Sequence, residues 1–434
     1  MKAKVLSKEK ILLICLTTVI ISLIMTIIGS KEVFCQGKTT PIVIGVTMPL
    51  GSIQGQDVLR SVQLAAEEIN TKGGVSIGGS KHNIEVVSAD TREHEPGFPT
   101  HEALMAMEKL ITEKNPHAII GGFRSEVVLA VFDLIAKYKV PYITPIAMTP
   151  LFEEKLNKDR EKYKYMFRAG NKSIGFYQLL EGTMGFLQKE YNVTNVYILT
   201  TDLLAWRAVM ERLIPDLKKT GWNVLAYDKV PLGTTDFSSS LNRAKAEKAQ
   251  VLLLIIETPE GGILLKQAKA MKVPALIGGM ISAAVQQIAW ETFKGEVEGS
   301  LQIIQEIGDL PVKAWPRSVE FQKNYEKRWG ADKLHRMADH GPAPAYDSVY
   351  ALAAAMERAG TLAPDSLVSA LEKTDMLGAI GRVRFNEDHN IIYGFDPKEA
   401  AAGCAFQWKA PGVRVPVFPK GLAEGRIEFP AYAK

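Results

Sequence analysis

The chain has 434 residues, 47% of them hydrophobic and 23% charged, with a formal net charge of +4. That composition excludes a collagen-like, disordered or disulfide-stapled chain and suits one large or two medium globular domains. Five lysines against two glutamates in residues 1–35 supply +3 of the charge, so the near-neutral remainder gives no electrostatic case for nucleic acid.

Lys2, Lys4, Lys8 and Lys10 precede the apolar run from Ile11 to Ile28. A basic stretch followed by an apolar one is the pattern of an export leader. The run approaches the roughly 20 apolar residues that span a bilayer, so cleavage and retention as an anchor both stay open. Residues 1–35 are therefore set apart from the fold. Cys15 and Cys35 fall in that segment and leave Cys404 as the one body cysteine. No intramolecular disulfide is expected, and Cys404 in the strand-like GCAFQW reads as a small buried hydrophobe.

From Pro41 onward strand and helix signals alternate. Strands are expected at 42–47, 83–88, 117–121, 140–144, 195–200, 223–230, 250–256 and 274–278. Helices are expected between them at 57–70, 100–114, 125–138, 174–190, 204–219, 238–248 and 260–271. Runs such as Val251 to Ile256 are apolar throughout, which suits strands covered on both faces. Strands separated by helices imply βαβ units and parallel sheets. There are too many strands for one compact layer, so two sheets are expected. Helices then dominate 316–373, and a short β segment follows at about 381–410. The tail 411–434 holds Pro411, Pro416, Pro419 and Pro430 and reads as an irregular strap. No internal repeat and no low-complexity linker separate two halves, which points to a joint built from several strands.

Several short motifs recur in a telling order. Residues 42–74 read IVIGVTMPLGSIQGQDVLRSVQLAAEEINTKGG. Ala118-Ile119-Ile120-Gly121-Gly122 precedes Ser125, and Val140-Pro141-Tyr142-Ile143-Thr144-Pro145 is followed by Phe167-Arg168. Thr234-Thr235-Asp236-Phe237-Ser238, Leu265-Lys266-Gln267-Ala268, Tyr346-Asp347-Ser348-Val349-Tyr350 and Gly381-Arg382-Val383-Arg384-Phe385 complete the series. In this order and spacing, across nearly all of 41–410, the chain resembles the Leu/Ile/Val-binding type of periplasmic substrate-binding protein.

That resemblance implies an α/β fold of two Rossmann-like doubly wound lobes joined by a three-strand hinge, the type 1 periplasmic binding fold. One lobe would hold 41–168 and 300–376, the other 169–299 and 377–420, with 421–434 as a tail. It further implies a non-enzymatic protein of the periplasm, without cofactor, acting as a monomer. It would pass an amino acid or an organic or aromatic acid to the membrane permease of an ABC importer. A sensor of the same fold is the alternative.

The site residues follow from the same resemblance, each beside a plainer reading. Gln54 lies in the first turn, within reach of a ligand. Ser125 matches a serine that contacts ligand carboxylate, and a helix start there favours anions. It is equally an ordinary cap. Arg124 offers a bidentate carboxylate site if it faces inward and is a solvated arginine if it faces out. Ala147 and Thr149 match a loop that holds ligand substituents, although Thr149 also suits a helix cap. Trp206 is an aromatic wall or a core tryptophan. Glu257 is a partner for an ammonium group or a solvated acid. Met280 stands near the place of a glutamate that holds the α-ammonium in amino-acid-binding members. A thioether cannot pair with a buried cation, so Arg124, Trp206 and Met280 lean toward an acid without an α-amino group.

Other chemistry lacks its signals. No GxGxxG follows the first strand, and GxxxxGK[ST], HExxH, CxxC and GxSxG are absent. His94 in Arg92-Glu93-His94-Glu95 reads as part of a solvated loop, because no second histidine stands at metal-ligand spacing.

Overall fold

The computed structural model describes residues 40–431 apart from 96, 257 and 259. The leader expected at 1–35 and the candidate Glu257 lie outside the described residues.

The first strand, β1 (Ile42–Met48), leads into helix α1 (Ile53–Thr71), which starts a turn earlier than apolar spacing indicates. Ser52 is the reason, since its Oγ accepts the Gly55 N–H at 3.0 Å and caps the helix. Gly55 permits the tight approach, because a Cβ there would lie 2.1 Å from the Pro49 carbonyl oxygen. A hairpin of β2 (Val75–Ile77) and β3 (Ser80–His82) follows, then β4 (Ile84–Asp90) and α2 (Thr100–Lys114). Next come β5 (Ala118–Gly121), α3 (Ser125–Tyr138), β6 (Tyr142–Thr144), α4 (Leu151–Lys158), α5 (Arg160–Tyr163) and β7 (Met166–Arg168). These strands form a parallel sheet in the order β4-β1-β5-β6-β7.

The chain then builds a second sheet. Its elements are α6 (Ser173–Tyr191), β8 (Asn195–Thr201), α7 (Leu204–Lys219), β9 (Asn223–Val230), α8 (Ser238–Ala246), β10 (Val251–Ile256), α9 (Gly261–Ala270) and β11 (Leu276–Ile281). Two short helices, α10 (Ser282–Val285) and α11 (Ala289–Thr292), precede β12 (Leu301–Ile304). Helices α12 (Pro316–Trp329), α13 (Ala331–His335), α14 (Pro342–Ala359) and α15 (Pro364–Leu371) come next. Phe321, Tyr325, Val349 and Leu352 from α12 and α14 share one buried cluster with Ile44 and Val46 of β1, which returns this stretch to the first lobe. A small sheet of β13 (Asp375–Gly378), β14 (Gly381–Arg384), β15 (Tyr393–Gly394) and β16 (Ala401–Ala402) follows. Last are β17 (Cys404–Ala410) and β18 (Val413–Phe418), which join the second sheet in the order β18-β17-β12-β11-β10-β8-β9.

The second sheet shows why its strands are apolar throughout. Leu252, Leu254 and Ile256 face one buried cluster, while Val251, Leu253 and Ile255 face another on the opposite side. Period-2 alternation places each set on its own face, and helices cover both.

Three expectations change. The strand at 301–304 pairs with β11 and β17, so the chain leaves the second sheet after Ile304 rather than near residue 300. Ala379, Ile380 and Val383 also pack in the first lobe's cluster, past the expected passage at 377. The tail is not wholly irregular, since Val413–Phe418 pairs antiparallel with β17. Pro416 is tolerated because β18 is an edge strand. Cys404 is fully buried and free, and burial pushes its thiol up well beyond the ordinary range.

Candidate ligand-binding cleft

In a parallel sheet the strand carboxyl ends and the following helix starts share one edge, where loops can face a ligand. In the first lobe that edge carries the turns after β1, β5 and β6. In the second it carries the turns after β8, β10 and β11. The two edges meet. The Ser173 N–H at the start of α6 donates to the Met148 carbonyl in the turn after β6, at 3.2 Å. The Met148 side chain packs against the second-lobe cluster that contains Phe176, Trp206 and Met280. Beyond β11, the Ile288 N–H donates to the His335 carbonyl at 2.9 Å and Gln286 Nε2 to the Arg336 carbonyl at 3.0 Å.

The candidates take the following places. Gln54 is half-buried in the first turn of α1. Ser125 is the first residue of α3 and half-buried, and among the described residues its hydroxyl has no protein partner. Gly122 brings β5 into that helix with φ of +89°, where a Cβ would meet Val128 Cγ2 at 2.3 Å. Ala147 is buried and donates its N–H to Thr144 Oγ1 at 3.3 Å. Thr149 Oγ1 accepts the Leu151 N–H at 3.2 Å, the cap that its sequence position also suggests. Trp206 lies in the first turn of α7, 6% exposed, with its ring centroid 5.4 Å from that of Phe176. Its Nε1–H is buried without a partner. Met280 is buried in β11 rather than placed on a loop. The fold thus gathers Trp206 and Met280 into one apolar wall, reached across the gap by Met148.

Arg124 has its donors engaged by the protein itself. Its guanidinium bonds Glu126 through Nε at 2.6 Å and the Phe98 carbonyl through Nη1 at 3.2 Å. Its backbone N–H donates to Glu93 Oε2 at 2.8 Å.

Glu93 is a residue that sequence reasoning missed. Its carboxyl is 1% exposed and takes up a donor at the mouth of α3, along with the Thr91 hydroxyl at 2.9 Å. Burial pushes it above the ordinary carboxyl range, while the bonds from Arg124 and Thr91 act the other way. His94 beside it is half-buried, not solvated. Its ring sits where a Cβ on Gly51 would fall, 2.7 Å from Cε1, and its Nδ1 is buried without a partner. A Gly-free, charged string such as Thr91–Glu95 carries no sequence mark of burial.

A cavity of about 520 Å³ lies elsewhere, between α1, α12 and α14. Its wall carboxylate, Glu68, already accepts bonds from Tyr346, Tyr350 and Asn324. That cavity is walled by first-lobe helices, whereas the strand ends bring turns of both lobes together. Among the described residues no group of histidine, cysteine and carboxylate side chains could hold a metal ion.

A family model described as periplasmic binding protein matches residues 41–396. The chain belongs to the periplasmic binding protein family. A similar relative is the Leu/Ile/Val-binding protein BraC3 of Rhizobium johnstonii, 25% identical over 360 residues, 81% of this chain and 89% of the relative. Among solved structures, a putative branched-chain amino acid ABC transporter protein from Silicibacter pomeroyi has a TM-score of 0.77 at 19% identity, over 90% of this chain and all of that one. A solute-binding protein of an ABC transporter from R. palustris, in complex with benzoate, has a TM-score of 0.65 at 15% identity, over 90% of this chain and 98% of that one. These structures share the fold, and the family is one of binding proteins rather than enzymes.

Proposed function

We propose that this periplasmic binding protein is an exported, monomeric carrier that traps one small organic acid between its lobes and delivers it to an ABC import permease. One observation carries the reading. The carboxyl ends of both sheets meet, and the turn holding Met148 seats on the second lobe's apolar cluster.

The ligand's two ends are assigned by chemistry. Its carboxylate goes to the start of α3, where the Ser125 hydroxyl and the helix N–H groups remain as donors. Its apolar body goes to Phe176, Trp206 and Met280, with Met148 closing over it. The unpartnered Trp206 Nε1–H suits a polar substituent on that body. Met280 supplies no counter-charge for an ammonium, which supports an aromatic or branched acid lacking the α-amino group. Arg124 is left out of the ligand set because Glu126 and Phe98 hold it. Closure excludes water and strengthens each polar contact. Export is supported by the basic-then-apolar pattern of residues 1–28. No helix among the described residues is long and apolar enough to cross a membrane.

A thermal-shift screen over amino acids, aliphatic acids and aromatic acids tests the reading. A ligand at 100 times its dissociation constant adds about 2.7 kcal/mol, a rise of about 3 °C for a protein of this size. The expected result is stabilisation by a carboxylic acid with an apolar body and no product after incubation. Stabilisation by leucine but not by its desamino analogue would overturn the ligand class, and conversion of a ligand would overturn the function.

A further inference from the structure

The junction of the lobes contains a buried histidine–carboxyl contact that solute capture does not itself require. Glu306 lies just past β12, where the chain leaves the second sheet, and is 1% exposed. One carboxylate oxygen accepts the Asn171 N–H at 2.9 Å, on the passage from the first sheet to the second. The other lies 2.8 Å from His340 Nδ1. His340 Nε2 lies 2.9 Å from the carbonyl oxygen of Ile146, next to the ligand-side Ala147. Gly341 presses this loop onto Ile146, where a Cβ would meet Ile146 Cγ1 at 2.5 Å, with φ of +106°.

Both ring nitrogens thus face groups that only accept. A neutral imidazole carries one N–H and would set a lone pair against one of them. We propose that His340 is a positioning residue: a doubly protonated imidazole that locks the ligand-side turn at Ile146 to the crossovers through Glu306, and whose proton loss lets the lobes part. The lock reaches the third crossover as well, since the Tyr393 hydroxyl donates to the Gln305 carbonyl at 2.8 Å.

The groups around the ring favour this state. Asp309 and Glu306 approach on the second crossover, Asp339 on the loop of His340 itself, Asp57 from α1 through the Ala338 N–H, and Tyr393 from the third crossover. Ser282 at the start of α10 approaches the Asp339 carboxyl from the second lobe. Burial and the Glu306 charge push the Asp309 carboxyl well above its ordinary value. Burial acts most strongly, against charge on His340, but the Glu306 carboxylate, the Ile146 carbonyl and Asp339 together outweigh it and raise the ring above its ordinary value. The sign follows: the lock is whole below an ordinary histidine value of about 6.5 and is lost as pH rises through the higher folded value.

The inference rests on capture between the lobes for its consequence, but its test needs no ligand, so the two fail separately. In the full chain with 15N-labelled histidine, the ring is followed by NMR and amide hydrogen exchange is read at Asn171 and Ser173. One ring is expected to titrate above the ordinary histidine value of about 6.5 and to be doubly protonated below it. Across that midpoint the two amides are expected to exchange on the order of tenfold faster than base catalysis alone explains. His340→Gln removes that step, and Glu306→Gln lowers the ring's midpoint by more than one unit. A His340 ring that titrates at or below 6.5, a midpoint unmoved by Glu306→Gln, or a step that survives His340→Gln overturns the proposal. If a variant does not fold, the unsubstituted protein's titration and exchange decide alone.

Discussion

The two lobes share an architecture and differ in what they bury. Among the described residues, the buried carboxylates, histidines and guanidinium groups are Asp57, Glu93, Arg168, Glu306, Asp309, His340, Asp347 and His389. Each belongs to the first lobe or to a crossover. The second lobe buries neutral polar groups instead, such as Thr183, Thr200, Thr201, Gln302 and Gln407. Arg414 on its edge strand is only partly covered. Both lobes are held by apolar contact, and the first is wired in addition by more of the buried, proton-dependent bonds. On the proposed reading, the first lobe fixes geometry where the ligand's carboxylate is met and the second gives an adaptable wall for its apolar body.

The sharpest way to break this comparison is to damage each lobe in its own terms. Trp408 in β17 is fully buried, donates Nε1–H to the Ala284 carbonyl at 2.8 Å and packs against Trp290 and Phe406. Trp408→Ala is expected to cost about 4–5 kcal/mol in urea unfolding, equally at pH 5 and pH 8. A loss that varies strongly with pH would place ionisable groups in that core.

The next effect belongs to the first lobe. Asp347 in α14 accepts the Ala379 and Ile380 N–H groups, and burial pushes its carboxyl up to about 7. With the folded value above the unfolded 3.8, the folded state holds the proton longer, so stability falls as pH rises from about 4 to 7. The contribution is at most roughly 4 kcal/mol. Asp347→Asn should flatten the pH dependence in that window, and an unchanged slope would contradict the assignment.

A charge cut follows. Arg168 is fully buried, stacks 4.4 Å from the Phe152 ring and pairs with Glu153 at 2.8 Å. Burial pulls its guanidinium down to about 10, and Glu153 supplies the compensating charge. Glu153→Ala leaves that cation unpaired and is expected to cost about 3 kcal/mol by chemical denaturation. A loss near zero would show that Glu153 does not hold Arg168 in place. The smallest effect is functional. Ser125→Ala removes one hydroxyl and should weaken ligand binding by about 1 kcal/mol in calorimetry, with stability unchanged.

The sequence carried the fold further than the site. The run Val251 to Ile256 and the Gly73-Gly74 stop name their elements because burial on both faces and left-handed backbone leave marks in residue type. β12 has no counterpart among the expected strands, because LQII is only four residues long and one of its partners, β17, is distant in sequence. At the candidate site, Ser125, Ala147 and Trp206 follow the carboxyl ends of β5, β6 and β8, as the alternation of strands and helices implies. Sequence reasoning did not foresee that Arg124 turns to Glu126, that Glu93 enters at the start of α3, or that His340 bonds Ile146. The last two join residues 31 and 194 positions apart, and no local pattern records them.

The most direct test is a crystal structure of the protein with the acid that stabilises it most. The account predicts one molecule lodged where the strand ends face each other, its carboxylate on Ser125 and its body against Trp206 and Met280. A molecule seated instead in the cavity between α1, α12 and α14, or on the outer surface of one lobe, would contradict it.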